Sequence, residues 1–275
     1  MPAPGISLVG FIADQQEALN HLKNACVPAA NADDAALLAE WDAARAARGA
    51  PIPNAGHPDI QPLPPDLAAH AQQVLAHPLF QGEWAGAQIA MIEIGPLLAH
   101  QMTVDSNRSA HHCGAWPGPP TIQQLMDCCL PIAPQPEEMR LVPGQNSLLI
   151  KAKSLNVRII QGVGQQGFLG IQFGVSTPFV HVVRLNGRHY LFNGYHRAVG
   201  CHSAGVTHIP CILRDVADHA TIGINPPNTF SGALLDSNDP PTVAHFAHGR
   251  GHRVSLRLHS RILYVNWAEH AVPDE

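Results

Sequence analysis

Two residues constrain this fold more than any others. Asn186-Gly187 stands between the apolar runs "FVHVVRL" (179–185) and "RHYLF" (188–192). The tightest hairpin turn needs positive φ at both central positions, which Asn tolerates and Gly adopts freely. The pair therefore predicts two antiparallel strands joined by a two-residue turn. The chain beyond them is equally legible. Phe192 ends the second strand, and Asn193-Gly194 permits another tight turn. Tyr195-His196-Arg197 then opens a helix with Ala198, Val199 and Cys201 on its inner side, and Gly205 lies past its end. Val206 to Ile209 leads through Pro210 into a further strand, "CIL". The order is strand, turn, helix, strand.

A glycine turn that opens a helix leaves backbone N–H groups pointing outward, and the helix dipole favours negative charge there. His196 and Arg197 add side-chain donors in the same first turn, where basic residues oppose the dipole. Arg grips phosphate or carboxylate through two parallel hydrogen bonds. An anionic ligand over this turn is one reading. The other is a buried helix start with Arg197 paired to an acidic residue.

The run "RHYLFNGYHRAVGCHSAGVTHIPCIL" resembles the ParB/sulfiredoxin-like superfamily over residues 179–215. The shared pattern is a hairpin strand, Asp/Asn-Gly-x-His-Arg, a helix, and a glycine followed by an Ile-Pro strand. Members include chromosome-partitioning CTPases, sulfiredoxins and free-serine kinases. The resemblance implies an α+β fold with a mixed sheet, and a phosphate-binding stretch at Asn193, Gly194, Tyr195, His196 and Arg197. It also implies ATP, ADP or CTP with Mg²⁺ as cofactor. His196 and Arg197 would act in catalysis, with Glu93 on the candidate first strand as the acidic base; Asp105 is the alternative carboxylate. Tyr195 stands where sulfiredoxins carry their reactive cysteine, so sulfinic-acid reduction is not expected. The implied activity is a phosphotransferase or nucleotide hydrolase acting on a small molecule. A non-catalytic module that binds an anion or a partner is the alternative, and a ParB-like nuclease or DNA-binding protein the second.

The rest of the chain reads as two textures. Residues 1–86 form an Ala-rich helical region. Asp14 caps a helix with Ala18, Leu19 and Leu22 on one face. A second runs from Asp33 to Arg48 with Leu37, Leu38, Trp41 and Ala44, and a third follows Pro65-Asp66. The proline-rich connector 49–65 is extended. Residues 87–275 read as the α+β domain. Within it "QIAMIEI" is a strand, "SAHHCGAWPGPP" is irregular, Thr121 to Leu130 is a short helix, and strands follow from Ser147. The stretch "RVSLRLHSRILYVNW" reads as one C-terminal strand, with Val254, Leu256 and Leu258 on one face and a basic face of Arg253, Ser255, Arg257 and His259 opposite.

Composition limits the partners. Formal net charge is −5, with 16 Lys plus Arg. Non-specific nucleic-acid binding needs an excess of cations to displace counterions, so nucleic acid is not expected. No basic leader and no membrane-length apolar stretch is present, which predicts a cytoplasmic protein that does not engage membranes. Homo-oligomers remain open. There are 18 histidines and 6 cysteines. No Cys-x-x-Cys pair occurs, so the cysteines, including Cys128-Cys129, read as small core residues. A transition metal is not expected; if one binds, His245 and His248 in the glycine-rich "HFAHGRGH" are the better ligands.

Overall fold

Asn186 and Gly187 both adopt the left-handed backbone, with φ of 51° and 77°. Residues His181–Leu185 and Arg188–Asn193 pair antiparallel across them, Leu185 opposite Arg188 and Val183 opposite Tyr190. The computed structural model describes residues 2–28, 32–77, 80, 84–113, 116–132, 139–152, 157–165, 168–175, 179–224, 229–247, 249–257, 261–266 and 268. For residues 139, 157–165, 168–169, 171–175 and 261 it describes the backbone alone. Two compact units result: residues 1–132 with 179–257, and residues 133–178 with 258–275.

In the first unit, β1 (Ala3–Ser7) precedes α1 (Gln15–Asn24) and α2 (Asp34–Ala47). Asp14 and Asp33 accept from the Glu17 and Ala36 amides, so each helix starts on an aspartate cap. Leu19, Leu22, Leu37 and Trp41 form their buried face, and Trp41 Nε1 donates to the Ile12 carbonyl. The proline-rich connector adds a short edge strand, β2 (Ile60–Gln61). Then come α3 (Ala68–Leu75), β3 (Gln88–Glu93), β4 (Leu98–Ala99), β5 (Thr103–Asp105), α4 (Ser106–Cys113) and α5 (Ile122–Cys129).

The second unit holds β6 (Met139–Pro143), β7 (Ser147–Ala152), β8 (Val157–Gln165) and β9 (Phe168–Val175). The chain returns to the first unit as β10 (His181–Leu185), β11 (Arg188–Asn193), α6 (Tyr195–Ser203), β12 (His208–Asp215), α7 (Gly232–Leu235) and β13 (His252–Leu256). β14 (Arg261–Asn266) belongs to the second unit. At the point of return the Val180 amide donates to the Cys129 carbonyl at 2.8 Å.

The main sheet of the first unit runs β2-β3-β12-β10-β11-β4 and mixes parallel with antiparallel pairs. Its middle strands carry Val182, Val183, Ile209, Cys211 and Ile212, all buried. A strand covered on both faces is apolar at nearly every position rather than at alternate ones. A smaller sheet, β13-β1-β5, flanks it. In the second unit β14-β7-β6 form one sheet and β8-β9 another. The protein is thus α+β with mixed pairing.

The N-terminal region packs on the mixed sheet: Leu8, Leu22, Leu37 and Leu67 share one apolar cluster with Ile92, Val183 and Ile212. Two local expectations are corrected. The stretch expected to be irregular from Ser109 is helical through Cys113. Asp105 Oδ1 accepts from the Asn107 and Arg108 amides and caps it, while Ser109 and Cys113 are buried. The C-terminal strand is two strands in two units. Val254 and Leu256 belong to β13, which pairs with Gly5 and Ala3 of β1. Period-2 alternation continues through a break when both pieces are strands. Among the described residues, no helix is long and apolar enough to cross a membrane.

Burial holds several histidines neutral. His100, His181 and His245 are almost wholly enclosed, and burial pushes their pKa from 6.5 down to about 4, about 3 and about 4. The unfolded chain therefore binds more protons once pH drops below about 6.5. The stability these groups contribute is complete above that pH and is lost as pH falls towards about 4. Thermal unfolding midpoints measured from about pH 7.5 downward should decline steeply below about pH 6.5. A midpoint that holds constant to pH 5 would contradict this.

Candidate functional site

The turn before α6 is built on Gly194, whose φ is 93°. A Cβ there would lie 2.8 Å from Val180 Cγ2 and 3.0 Å from its Cα, so both backbone conformation and space require glycine. Asn193 Oδ1 accepts from the Gly194 amide at 2.9 Å. That amide is thereby occupied within the turn. Tyr195 points inward. Its hydroxyl accepts from the amides of His100 at 2.9 Å and Gln101 at 3.3 Å, and lies 3.1 Å from His100 Nδ1. Burial pushes its phenol well above the usual tyrosine range. The Tyr195 side chain anchors α6 and does not face a ligand.

His196 and Arg197 are half-buried on the other side of this turn. His196 Nε2 accepts from the Asp105 amide at 3.4 Å. Asp105 Oδ2 is 3.8 Å from Arg108 Nε, and both residues stand at the start of α4. Burial first, then Arg108, pushes His196 down to about 4; Asp105 opposes, while His112 and Arg197 add to the effect. His112 is pushed down to about 4 by burial and then by Arg197. The first turn of α6 thus faces Asp105, Arg108 and His112 from β5 and α4. Of the two carboxylates singled out by sequence, Asp105 is brought to the motif.

Glu93 stands elsewhere. Its Oε2 accepts from the Asp59 amide at 3.1 Å, and its Cα lies opposite His208 in the β3–β12 ladder. His208 follows the C-terminal end of α6, and nine helical residues span roughly 13 Å. The strand pattern located Glu93 correctly on β3, but the end of β3 meets the wrong end of the helix.

His245 is also accounted for. Its Nδ1 accepts from the Thr242 amide at 3.0 Å and contacts Thr242 Oγ1 at 3.0 Å, and the ring packs edge-on against Phe11 at 4.7 Å. It closes a short 3-10 turn at Val243–Phe246. His248 lies outside the described residues, as does His259 of the basic strand face. Arg253 and Ser255 of that face are exposed on β13.

A group that sequence spacing did not reveal lies beside the motif. Gly200 of α6 faces α4, and a Cβ there would collide with the Ser109 carbonyl oxygen and lie 3.0 Å from Cys113 Sγ. The close approach sets Cys113 Sγ 3.2 Å from Cys201 Sγ and 3.5 Å from the Arg197 carbonyl. The Sγ atoms of Cys113, Cys128 and Cys201 all lie within 4.8 Å of one another. Cys129 adjoins Cys128 and Cys201. Neighbouring thiols donating to Cys128, together with Arg197 beside it, hold its thiol well below the usual range, while Cys113 and Cys201 are held above it. Three helices contribute one cysteine each, at separations no local motif describes. The available signal was the inner-face position of Cys113, Cys129 and Cys201 on separate short helices.

Comparison of the chain with protein-family models, with curated proteins and with solved structures finds no match.

Two substitutions test this local construction. Gly194→Ala should destabilise the protein by at least about 1–2 kcal/mol from backbone strain alone, before the Val180 overlap is counted. Tyr195→Phe leaves one buried and one half-buried amide without their acceptor and should cost about 1–3 kcal/mol. Urea unfolding midpoints measure both; a change under a few tenths of a kcal/mol in either would refute the anchoring role.

Proposed function

We propose that the protein binds a phosphate-bearing small molecule, a nucleotide in the favoured form, over the first turn of α6. One observation carries this reading. Arg108 and His112 of α4 converge with His196 and Arg197 of α6, and the cationic groups act against the protonation of both imidazoles. Such a concentration of positive potential in a half-buried place is relieved by an anion. Guanidinium groups from two helices suit phosphate because each offers paired donors. The chemistry matches what the ParB/sulfiredoxin-like resemblance implies for His196 and Arg197. It differs in its donors: Arg108 and His112 take the part expected of the Gly194 amide, which Asn193 occupies.

The reading is one of binding. Asp105 commits Oδ1 to two helix amides and faces Arg108 with Oδ2. Glu93 lies at the far end of α6. Neither carboxylate is placed as a base, so a phosphotransferase or hydrolase step has no assigned residue, and the binding-module alternative is the form the geometry favours.

The test is a thermal-shift panel with ATP, ADP and CTP, each with Mg²⁺, and inorganic phosphate. A ligand at a hundredfold excess over its Kd stabilises the folded state by about 2.7 kcal/mol. Wild type should show a rise in Tm with at least one nucleotide. Arg197→Ala and Arg108→Ala should each lose most of it while folding normally. Bound phosphate should also raise the His196 pKa above its depressed value, read by NMR titration. The proposal fails if no ligand shifts Tm, or if the shift survives both substitutions.

A further inference from the structure

The four clustered cysteines lie in the core or against it, but filling a core does not require sulfur to meet sulfur. A thiol is a weak donor and a weak acceptor, so thiols gain little from touching one another. Cys26 and Cys211 are buried too, yet neither belongs to the cluster. Cys113, Cys128 and Cys201 come from three helices, α4, α5 and α6, and point their sulfurs at one place. That convergence is the arrangement a thiophilic cation requires.

We propose that Cys113, Cys128 and Cys201 form a three-thiolate site for Zn²⁺. Tetrahedral zinc bonds sulfur at about 2.3 Å, which sets its sulfurs roughly 3.8 Å apart. The observed separations run from 3.2 Å for Cys113 to Cys201 up to a limit of 4.8 Å. Sulfur donors exclude hard cations such as Mg²⁺, which take oxygen. The ion replaces the thiol protons, and a zinc ion with three thiolates retains negative charge. The Arg197 guanidinium acts on Cys128 and supplies the counter-charge. Two groups are at hand for the fourth position. Cys129 adjoins Cys128 and Cys201, and the His112 ring lies within electrostatic reach of Cys128. Access is available as well. Cys128 is half-buried, and a cleft of about 280 Å³ between α4 and α6 has Cys113 in its wall beside Ser109 and Gly200. Zinc here ties α4, α5 and α6 together and so fixes the helix that carries His196 and Arg197. The site neighbours the proposed anion site and shares Arg197 and His112 with it, but its readout is the metal itself, so either proposal can fail without the other.

The experiment uses the full chain, purified under reducing conditions without chelator, supplied with Zn²⁺ and desalted. Elemental analysis should find one equivalent of zinc per chain. Cys128→Ser should reduce it at least tenfold, and Cys26→Ser should leave it unchanged. Because Cys201→Ser removes a buried group and can unfold the protein, Co²⁺ loading of wild type gives a second measurement. It should produce a thiolate-to-cobalt charge-transfer band and the strong visible bands of tetrahedral cobalt, both abolished by added Zn²⁺. The proposal is overturned by any of three results: wild type without bound zinc, undiminished zinc in Cys128→Ser, or a cobalt spectrum of octahedral oxygen ligation. A Cys113–Cys201 disulfide in the native protein, found by mass spectrometry, would overturn it as well.

Discussion

Position 200 has room for no side chain, and the candidate site depends on that. With glycine there, α4 rests its Ser109 carbonyl and Cys113 sulfur directly on α6. Arg108 and His112 are then carried to within electrostatic reach of His196 and Arg197. Cys113 is carried to Cys201 in the same movement. The positive potential and the grouping of thiols are therefore two results of one helix–helix approach. Close backbone approach through a small residue is the general use of glycine in packed elements. Here it converts two short helices, neither stable by itself, into one chemical surface.

The other end of α6 is held from inside. Val180 stands against Gly194, and the Tyr195 hydroxyl gathers two amides and an imidazole around the chain that follows β4. The first turn of the helix is thus placed by packing rather than by its own propensity. Its polar residues inherit that placement. His196 is half-buried because Tyr195 is fully buried beside it, and desolvation, more than any single charge, sets its proton affinity.

Local rules made much of this readable in advance. The Asn186-Gly187 hairpin, the aspartate-started helices α1 and α2, the short helix from Thr121 and the turn at Gly194 are each determined by a few adjacent residues. The apolar faces of α1 and α2 followed from helical period alone. What escaped has non-local causes. β1 reads "APGIS", too small and too proline-bound to look like a strand, and it pairs only because β13 and β5 flank it. Glu93 and Asp105 both follow strand patterns, and only the path of the sheet decides which one meets His196. The thiol cluster joins positions 113, 128 and 201, whose separations carry no motif; three helix faces had to pack before the sulfurs could meet.

One hydrogen bond, from Val180 to Cys129, has a topological consequence. The chain leaves the first unit just after α5 and re-enters it at Phe179, so departure and return occur at neighbouring points. The chain between these two points is thus an insertion whose points of departure and return are already joined by the first unit. Closing such a loop costs free energy that grows only with the logarithm of its length. The structural constraint falls on the junction itself, where Cys129 offers its carbonyl and Val180 both donates its amide and presses against Gly194.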